Sequence, residues 1–253
     1  SRQKYLTASE KGPWANSYDR WRNDNLTNRY QGVQFGYTSA GRYTSWNDIW
    51  SYPGYKERDI LPGDYKYEDW NGDGEINGQD EHPFAFDQTP WLQFSLNAGL
   101  QWKNLDFNML LQGSALGSME YKEPLHEIWG KNGGGALTQF LDRWHPVDPK
   151  ADPYDPSTVW TSGHYAYTGR WAKNNSAFNR VSTAYLRLKS IELGYTFPKL
   201  KQIPNASLRI YANAYNLLTF TGVKFVDPEH PDDDLGRMYP LNKTYTLGVS
   251  LSF

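Results

Sequence analysis

The chain contains no cysteine, almost no net charge and no long apolar run, and each absence excludes a class of protein. Without cysteine there can be no disulfide, no thiolate metal site and no cysteine nucleophile. The 26 basic and 28 acidic residues give a formal charge of -2, which argues against a nucleic-acid partner. No stretch approaches the roughly 20 apolar residues of a membrane-spanning helix. We therefore expect neither a disulfide scaffold nor a helical membrane protein.

Aromatic residues are abundant in an otherwise polar chain. Phe, Trp and Tyr make up 16% of the residues, including 19 Tyr and 11 Trp, while the mean hydropathy is -0.78. This combination suits β-proteins that bind sugars. It suits equally well β-barrels whose strands alternate lipid-facing and water-facing residues, because alternation hides apolarity from an average.

The last ten residues show strict alternation. Small or polar residues separate five apolar ones, which are Tyr245, Leu247, Val249, Leu251 and Phe253. The period of two predicts a β-strand with one wholly apolar face, and about ten residues suffice to cross a bilayer when a strand is tilted. A soluble sheet could show the same alternation.

Two further pairs of strands show the same pattern. Residues 92–102 and 105–112 alternate around the two-residue turn Lys103-Asn104, which predicts a hairpin. Residues 185–196 and 207–217 form the second pair, joined by a proline-containing link. In the first strand of this pair the apolar phase changes near Ser190, which predicts a β-bulge.

The connections at the opposite strand ends are much longer. They span residues 113–183 and 219–243, and a strand expected near residues 30–38 adds a third long loop over residues 39–90. Short turns on one side and long loops on the other are typical of outer-membrane barrels. About six strands cannot close a barrel, so we expect this chain to be part of a larger wall.

One loop follows the spacing of a calcium-binding loop. Oxygen-bearing residues recur at alternate positions, with a glycine at the sixth position for the sharp turn and an acid at the twelfth. The predicted ligands are Asp69, Asn71, Asp73, Glu75, Asn77 and Asp80. The closing acid is Asp rather than the usual, longer Glu, so the loop either holds a structural Ca²⁺ with modest affinity or is an ion-free turn of the same shape.

The sequence offers no catalytic motif. His126-Glu127 lacks the second histidine of a zinc-protease helix, and residues 113–117 place Ser114 outside the pattern of a nucleophile elbow. We therefore expect no enzyme. Aromatic residues in the long loop are collective candidates for ligand binding, although such rings also pack loops together. They are Trp129, Trp144, Trp160, Tyr165, Tyr167 and Trp171. We expect the acidic segments 227–229 and 232–234 to form a solvated loop tip.

Several segments together resemble the C-terminal part of SusC/RagA-family TonB-dependent outer-membrane transporters. The likeness is carried by Pro62-Gly63-Asp64-Tyr65-Lys66-Tyr67 running into Asp69-Trp70-Asn71-Gly72-Asp73-Gly74, by the YLRLK strand that begins at Tyr185, by the NLLT segment at Asn216, by Asp227-Pro228-Glu229, and by the terminal strand. The resemblance implies an all-β fold, in which residues 1–253 supply the C-terminal strands of a plugged barrel of about 22 strands in the outer membrane of a Gram-negative bacterium. The N-terminal domain and the plug are not in this sequence.

The resemblance also implies partners. These are a SusD-like lipoprotein lid, the TonB complex acting through the missing N-terminal part, the remaining barrel segment, outer-membrane lipid, and an oligosaccharide or peptide substrate. A rival interpretation is a secreted soluble β-protein that binds polysaccharide and carries a structural calcium. A glycoside hydrolase is a third, weaker alternative, because acidic loops can supply a carboxylate pair.

Overall fold

The fold is almost entirely β. The computed structural model describes residues 30, 32–53, 60–122, 125–126, 128, 136–169, 172, 175–198, 206–230 and 237–253. Its strands are β1 (Gln34–Gly36), β2 (Ser39–Arg42), β3 (Tyr65–Tyr67), β4 (His82–Ala85), β5 (Leu92–Trp102), β6 (Leu105–Ala115), β7 (Ser118–Glu120), β8 (His145–Pro146), β9 (Trp160–Thr161), β10 (Arg180–Ser182), β11 (Tyr185–Phe197), β12 (Ser207–Thr221) and β13 (Thr244–Ser252). The helical elements given complete bounds within the described residues are α1 (Trp46–Ser51) and the 3₁₀ turns Gly78–Asp80 and Thr138–Leu141. None of the helices within these described ranges has the length and apolarity that a membrane crossing requires.

The chain divides into two compact units. A loop-built unit contains residues 1–88, 118–181 and 231–236, and a sheet unit contains residues 89–117, 182–230 and 237–253. The sheet unit carries the long strands. The loop-built unit carries the short ones.

The sheet unit is a five-stranded antiparallel meander. Its strand order is β13-β12-β11-β6-β5, and its strands are 9 to 15 residues long, so each is about long enough to cross a bilayer at a tilt. The strand ends that adjoin the short connections lie at the same end of the sheet. Leu105 pairs with both Trp102 and Tyr195, and Ser207 pairs with Ser252. This confirms that the short connections share one side.

The two faces of this sheet differ in polarity. One face presents large apolar side chains to the exterior, with Leu100 66% and Leu247 77% exposed. The other carries polar and small residues. In β11 the register shifts between Leu188 and Ser190 against both neighbouring strands. This bulge confirms the prediction, and it keeps Leu188 and Ile191 on the same apolar face.

The structure corrects the prediction of a strand near residues 30–38. The structure forms only β1 in this segment, and β1 pairs with β4 in a separate two-stranded sheet rather than with the meander. Gly32 has φ +80°, a left-handed conformation that interrupts an extended run. Among the described residues, the meander therefore has five strands.

The loop-built unit has a core of aromatic rings. Tyr37, Tyr67 and Ile76 are buried together, and Phe178 packs against them. The ring of Phe178 makes edge contacts with Tyr65 at 4.8 Å and with Tyr67 at 5.6 Å between centroids. Burying such rings contributes roughly 25 cal/mol per Å² of apolar surface, so aromatic residues take the place of long strands in stabilising this unit.

The segment Pro62–Tyr67 supplies Tyr65 and Tyr67 to this packing, and the residues just before them have contacts of their own. The buried Asp64 accepts the Leu61 N–H at 2.9 Å and the Thr168 hydroxyl at 3.2 Å. Gly63 has φ +93°, and a Cβ there would lie 2.3 Å from the Trp144 ring. Only glycine satisfies both the backbone conformation and the close ring contact.

Candidate functional site

The polar face of the meander carries an ion-pair network that spans three strands. Arg209 on β12 donates from Nε to Asp106 on β6 at 3.1 Å and from Nη2 to Glu192 on β11 at 2.6 Å. The guanidinium crosses β11 above Gly194, where a Cβ would lie 2.5 Å from Nη2. Glycine at this position therefore leaves room for the arginine to reach the far strand.

The same row continues towards β13. The Arg209 guanidinium lies 4.7 Å from the centre of the Tyr211 ring, and that ring covers Gly248, whose added Cβ would meet it at 2.2 Å. Asn213 donates to Glu192 at 3.4 Å. One arginine therefore lies between two carboxylates, and the row combines charge with close contacts that fix the side chains.

A second arginine lies nearer the other end of β11. Arg187 is only 1% exposed, and its guanidinium bonds Asp227 at 2.6 Å and Glu229 at 2.7 Å. Its Nε donates to Thr219 at 3.1 Å. The expectation that residues 227–229 form a solvated tip is corrected in part: Asp227 and Glu229 pair with the buried Arg187, while the Glu229 side chain stays 42% exposed. The two carboxylates offset the cost of burying the arginine charge. Residues 232–234 lie outside the described residues.

Sequence reasoning missed both arginine networks. The available signal was modest: Asp106, Glu192 and Arg209 are charged residues in the polar phase of strands whose other phase is apolar. A charged residue at such a position favours pairing with an opposite charge on a neighbouring strand. Which residues meet depends on strand register, and a β-bulge changes the register within this sheet.

The calcium-type loop is folded around its own backbone. Asp69 accepts the N–H groups of Gly72 at 2.8 Å and Gly74 at 2.9 Å, and Asp73 accepts that of Glu75 at 2.8 Å. Asn71 Nδ2 donates to Asp73 at 2.9 Å. These bonds hold the first half of the loop in a tight turn, with an all-oxygen donor set of the kind that Ca²⁺ prefers.

Asp80 closes the loop through hydrogen bonds. The carboxylate is fully buried and accepts the N–H groups of Trp70 at 2.9 Å and Asn77 at 2.8 Å. Burial raises the pKa of Asp80, although these N–H bonds oppose the shift. Among the described residues, no three His, Asp or Glu side chains are grouped to hold a metal. The donor types fit calcium, and Asp69, Asn71 and Asp73 are the side chains that would hold it.

The six loop aromatics have different surroundings. Trp129 and Trp171 lie outside the described residues. Tyr165 is buried with Ile128 and Phe140, with its ring 4.6 Å from that of Phe140, and burial raises its pKa to about 12. Its packing leaves little ring surface for a ligand.

The other three described aromatics are half-buried. Trp144 packs on Gly63. Trp160 and Tyr167 form an edge-to-face pair with centroids 5.4 Å apart. This pair keeps more ring surface than Tyr165 does, so it is the better candidate for ligand contact, and a binding role for it stays a prediction.

The sheet combines an apolar face, a charged row on the opposite face, and two strands, β5 and β13, that are each paired on one side only within the described sheet. These are features of a wall segment of a transmembrane β-barrel. No protein-family model matches the chain. Two curated relatives from Formosa agariphila do match: TonB-dependent receptor P3 is 28% identical over 211 residues, and TonB-dependent receptor P26 is 27% identical over 239 residues. These matches cover 77% and 88% of this chain but 19% and 22% of the relatives, so the chain spans about a fifth of their length.

Solved structures agree on the fold. The chain matches a structure of the RagAB peptide transporter with a TM-score of 0.55 and 21% identity, and the RagAB peptide importer in the open-open state with 0.54 and 19%. Each match covers 87% of this chain and 22% of the other. The resemblance to TonB-dependent receptors is thereby confirmed, and the chain shares its fold with a part of the RagAB structures. The relatives and structural neighbours are named as receptors, importers and transporters rather than as enzymes, which agrees with the expectation of no enzyme.

Proposed function

We propose that this chain forms the C-terminal barrel strands of a nutrient importer in the outer membrane of a Gram-negative bacterium. The importer takes up oligosaccharides or peptides, driven by the TonB complex, which acts through the part of the receptor that precedes these strands. The observation that carries the proposal is the division of the meander into an exposed apolar face and an ion-paired polar face. A wall between lipid and an aqueous interior requires this division.

In this role each region of the sheet unit has a physical task. The apolar face contacts lipid, while Arg209 and its two carboxylates lie on the side of the passage. Their mutual hydrogen bonds hold the three side chains in place, and the cluster leaves one net negative charge on that side. We propose that the long loops at the other end form the mouth and meet a SusD-like lipoprotein lid, as the two-component name RagAB suggests for a relative of the same fold.

The soluble alternative is less favourable on the same observation. A secreted polysaccharide-binding protein would expose Tyr245, Leu247 and Val249 to water at 67%, 77% and 65%. Contiguous apolar surface of this kind is rare on soluble monomers. Within an outer membrane the same surface is covered by lipid.

Uptake by cells tests the proposal. The full-length receptor would be expressed in a strain that lacks it, and labelled oligosaccharides and labelled peptides would be supplied in separate arms. We expect accumulation of one class that stops when TonB is deleted or the proton gradient is collapsed. Accumulation that is independent of TonB, or recovery of the receptor from the soluble fraction, would contradict the proposal.

The proposed partner is tested separately. The tagged receptor would be purified in detergent, and the co-purifying proteins would be identified by mass spectrometry. We expect a lipid-anchored surface protein in stoichiometric amount. A receptor that is active in uptake yet purifies alone would contradict the lid while leaving the transport proposal intact.

A further inference from the structure

The short helix α1 places two tryptophans on one of its faces. Trp46 and Trp50 are four residues apart, so their side chains are neighbours on the helix surface. Their ring centroids lie 6.0 Å apart, with 39° between the ring planes. Trp50 is 69% exposed, and Trp46 is half-buried beside it. Trp50 therefore presents most of its ring to the surroundings, next to a second indole.

The fold does not use these rings to hold the helix. None of the six residues of α1 is buried, whereas a helix that packs on a core normally buries an apolar stripe. Polar contacts hold α1 instead. Its N-cap Ser45 accepts the Asp48 N–H at 3.2 Å, and the Asp48 carboxylate pairs with Lys66 of β3 at 2.6 Å. The helix thus keeps its place without a contribution from the Trp50 ring.

The residue after α1 fixes the other end of the helix. The Tyr52 N–H donates to the Asp48 carbonyl at 3.2 Å, and the Tyr52 hydroxyl donates to the Tyr67 carbonyl at 2.9 Å. Tyr67 belongs to the buried aromatic core of the loop-built unit. Because both ends of α1 are bonded, Trp50 projects from a fixed support, and a rigid aromatic side chain loses little freedom when it binds a ligand.

The exposed surface around Trp50 is small, and α1 adds no unpaired charge to it. Asp48 is the one charged residue in the sequence of α1, and its carboxylate is paired with Lys66. Each indole offers at most roughly 250 Å², and two of them stay below the roughly 800 Å² that each partner contributes to a stable protein complex. A surface of this size and charge suits one ring of a neutral ligand better than it suits a protein.

Asn47 adds hydrogen-bonding groups next to the ring. It lies three residues before Trp50, on the adjacent turn of the same face. It is exposed, and within the described part of the chain its side-chain amide has no hydrogen-bond partner. A flat apolar ring beside an amide that can donate and accept matches the chemistry of a sugar ring, which has an apolar C–H face and hydroxyl groups around its edge.

We propose that Trp50 and Asn47 form a binding site for a neutral sugar ring. The Trp50 indole stacks on the C–H face of the sugar, and the Asn47 amide bonds a hydroxyl group at its edge. This inference rests on the proposed function and narrows the nutrient to a neutral oligosaccharide. A charged peptide would find no unpaired charge on α1 to meet it.

The test measures sugar binding by the full-length receptor, purified in a detergent without a sugar headgroup, by isothermal titration calorimetry. The probes are maltohexaose, cellohexaose, xylohexaose and mannohexaose, and the wild type should bind at least one of them. Trp50→Ala should weaken that binding about three- to tenfold, the size of one ring contact. Asn47→Ala should weaken it about two- to fivefold, the size of one hydrogen bond. Failure of the wild type to bind any of the four would overturn the inference.

Two further substitutions separate stacking from a general apolar contact. Trp50→Phe keeps a flat ring and should retain most of the affinity, whereas Trp50→Leu keeps apolar bulk and should lose as much as Trp50→Ala. Equal affinity of the Phe and Leu variants would contradict stacking. Because Leu is at least as good a helix former as Phe, this comparison carries the test even if Trp50→Ala loosens α1. Leu141→Ala removes a side chain that is 82% exposed on the same unit and should leave binding unchanged.

The outcomes separate this inference from the proposed function. A hexasaccharide that binds through Trp50 but enters cells without TonB, or not at all, would contradict the proposed function and leave the site in place. TonB-dependent uptake by the wild type, with unchanged sugar affinity in Trp50→Ala, would overturn this inference alone. If Trp50→Ala instead lost a bound peptide or a co-purifying surface protein while it still bound sugar normally, the ring would belong to that partner, and the assignment to sugars would be wrong.

Discussion

The two units of this chain differ in where they place apolar and aromatic side chains, which are exposed on the sheet unit and buried inside the loop-built unit. In the sheet unit, Tyr245 and Leu247 are 67% and 77% exposed, whereas in the loop-built unit Tyr43 and Tyr67 are 3% and 6% exposed. Under the proposed function, the exposed apolar residues of the first unit would meet lipid, whereas those of the second are buried away from water. The contrast is invisible in the composition, because an average over the chain mixes the two units.

The units also use glycine differently. In the sheet, Gly194 and Gly248 make room for side chains that reach across from neighbouring strands. In the loop-built unit, Gly63 combines a left-handed backbone with ring packing. One role depends on strand register and the other on a turn, so the same substitution should have different effects in the two units.

The largest effect is expected where a charge is placed on the apolar face. Leu247→Arg should prevent accumulation of folded receptor in the outer membrane, since a cation facing lipid near the bilayer midplane costs about 2–4 kcal/mol. Thr246→Arg is the matched control on the polar face of the same strand and should assemble. Heat-modifiable barrel in isolated outer membranes measures both. Equal loss in both variants would remove the distinction between the two faces.

The meander could be predicted from sequence because alternation is local. The five strands, the turn at Lys103-Asn104 and the bulge near Ser190 all follow from the order of apolar and polar residues. In the segment predicted as a strand near residues 30–38, the structure forms the short β1, which pairs with β4, and Gly32 has a left-handed backbone. The length of a strand depends on its partners as well as on its pattern.

The contacts of the candidate site could not be predicted in the same way. Arg187 and Asp227 are 40 residues apart in sequence, and they meet because the segment after β12 turns across the polar face. Tyr165 was grouped with binding residues because of its type, yet it packs in a core. Ring type is visible in a sequence, whereas the side on which a ring is buried depends on tertiary packing.

The second largest effect concerns the loop-built unit. Gly63→Ala should destabilise it by about 2–3 kcal/mol, since a side chain at positive φ costs about 1–2 kcal/mol and the new Cβ must displace Trp144. Gly72→Ala is the control, because Gly72 also has positive φ but has open space around it; its cost should be about 1 kcal/mol. Hydrogen exchange of the full-length receptor resolves the two units separately. Equal effects would show that packing on Trp144 contributes nothing.

Calcium should act on the loop-built unit alone. If residues 69–80 bind Ca²⁺, adding the ion after chelation should slow hydrogen exchange in this loop and stabilise it by about 1 kcal/mol at concentrations a few times the dissociation constant. Asp69→Asn with Asp73→Asn should abolish the response, and Asp148→Asn, which changes an acid outside the loop, should preserve it. No response to either ion would favour the ion-free turn that the hydrogen bonds already close, whereas an identical response to Mg²⁺ would contradict a site selective for calcium.

The smallest expected effect is a pH dependence carried by Asp48 in the first turn of α1. Burial opposes ionisation, but the hydrogen bond from Lys66 at 2.6 Å and that from the Thr44 N–H at 3.1 Å outweigh it and lower the pKa of Asp48. A carboxylate whose pKa is lowered by folding stabilises the fold above its unfolded pKa of about 4 and loses that contribution as the pH falls through the folded value.

Asp48→Asn should therefore weaken protection of α1 at pH 7 by less than about 1 kcal/mol, as is typical of a partly exposed pair, and should flatten the loss of protection as the pH falls below about 4. Lys66→Met should mimic it at pH 7, and the double variant should add nothing because the two residues form one pair. Since Lys66 also lies 4.0 Å from the Tyr52 ring, a larger loss in Lys66→Met than in Asp48→Asn would assign the excess to the aromatic contact. That result would extend the contrast between the units, because aromatic rings of the loop-built unit would then stabilise the Lys66 ammonium as well as form a buried core.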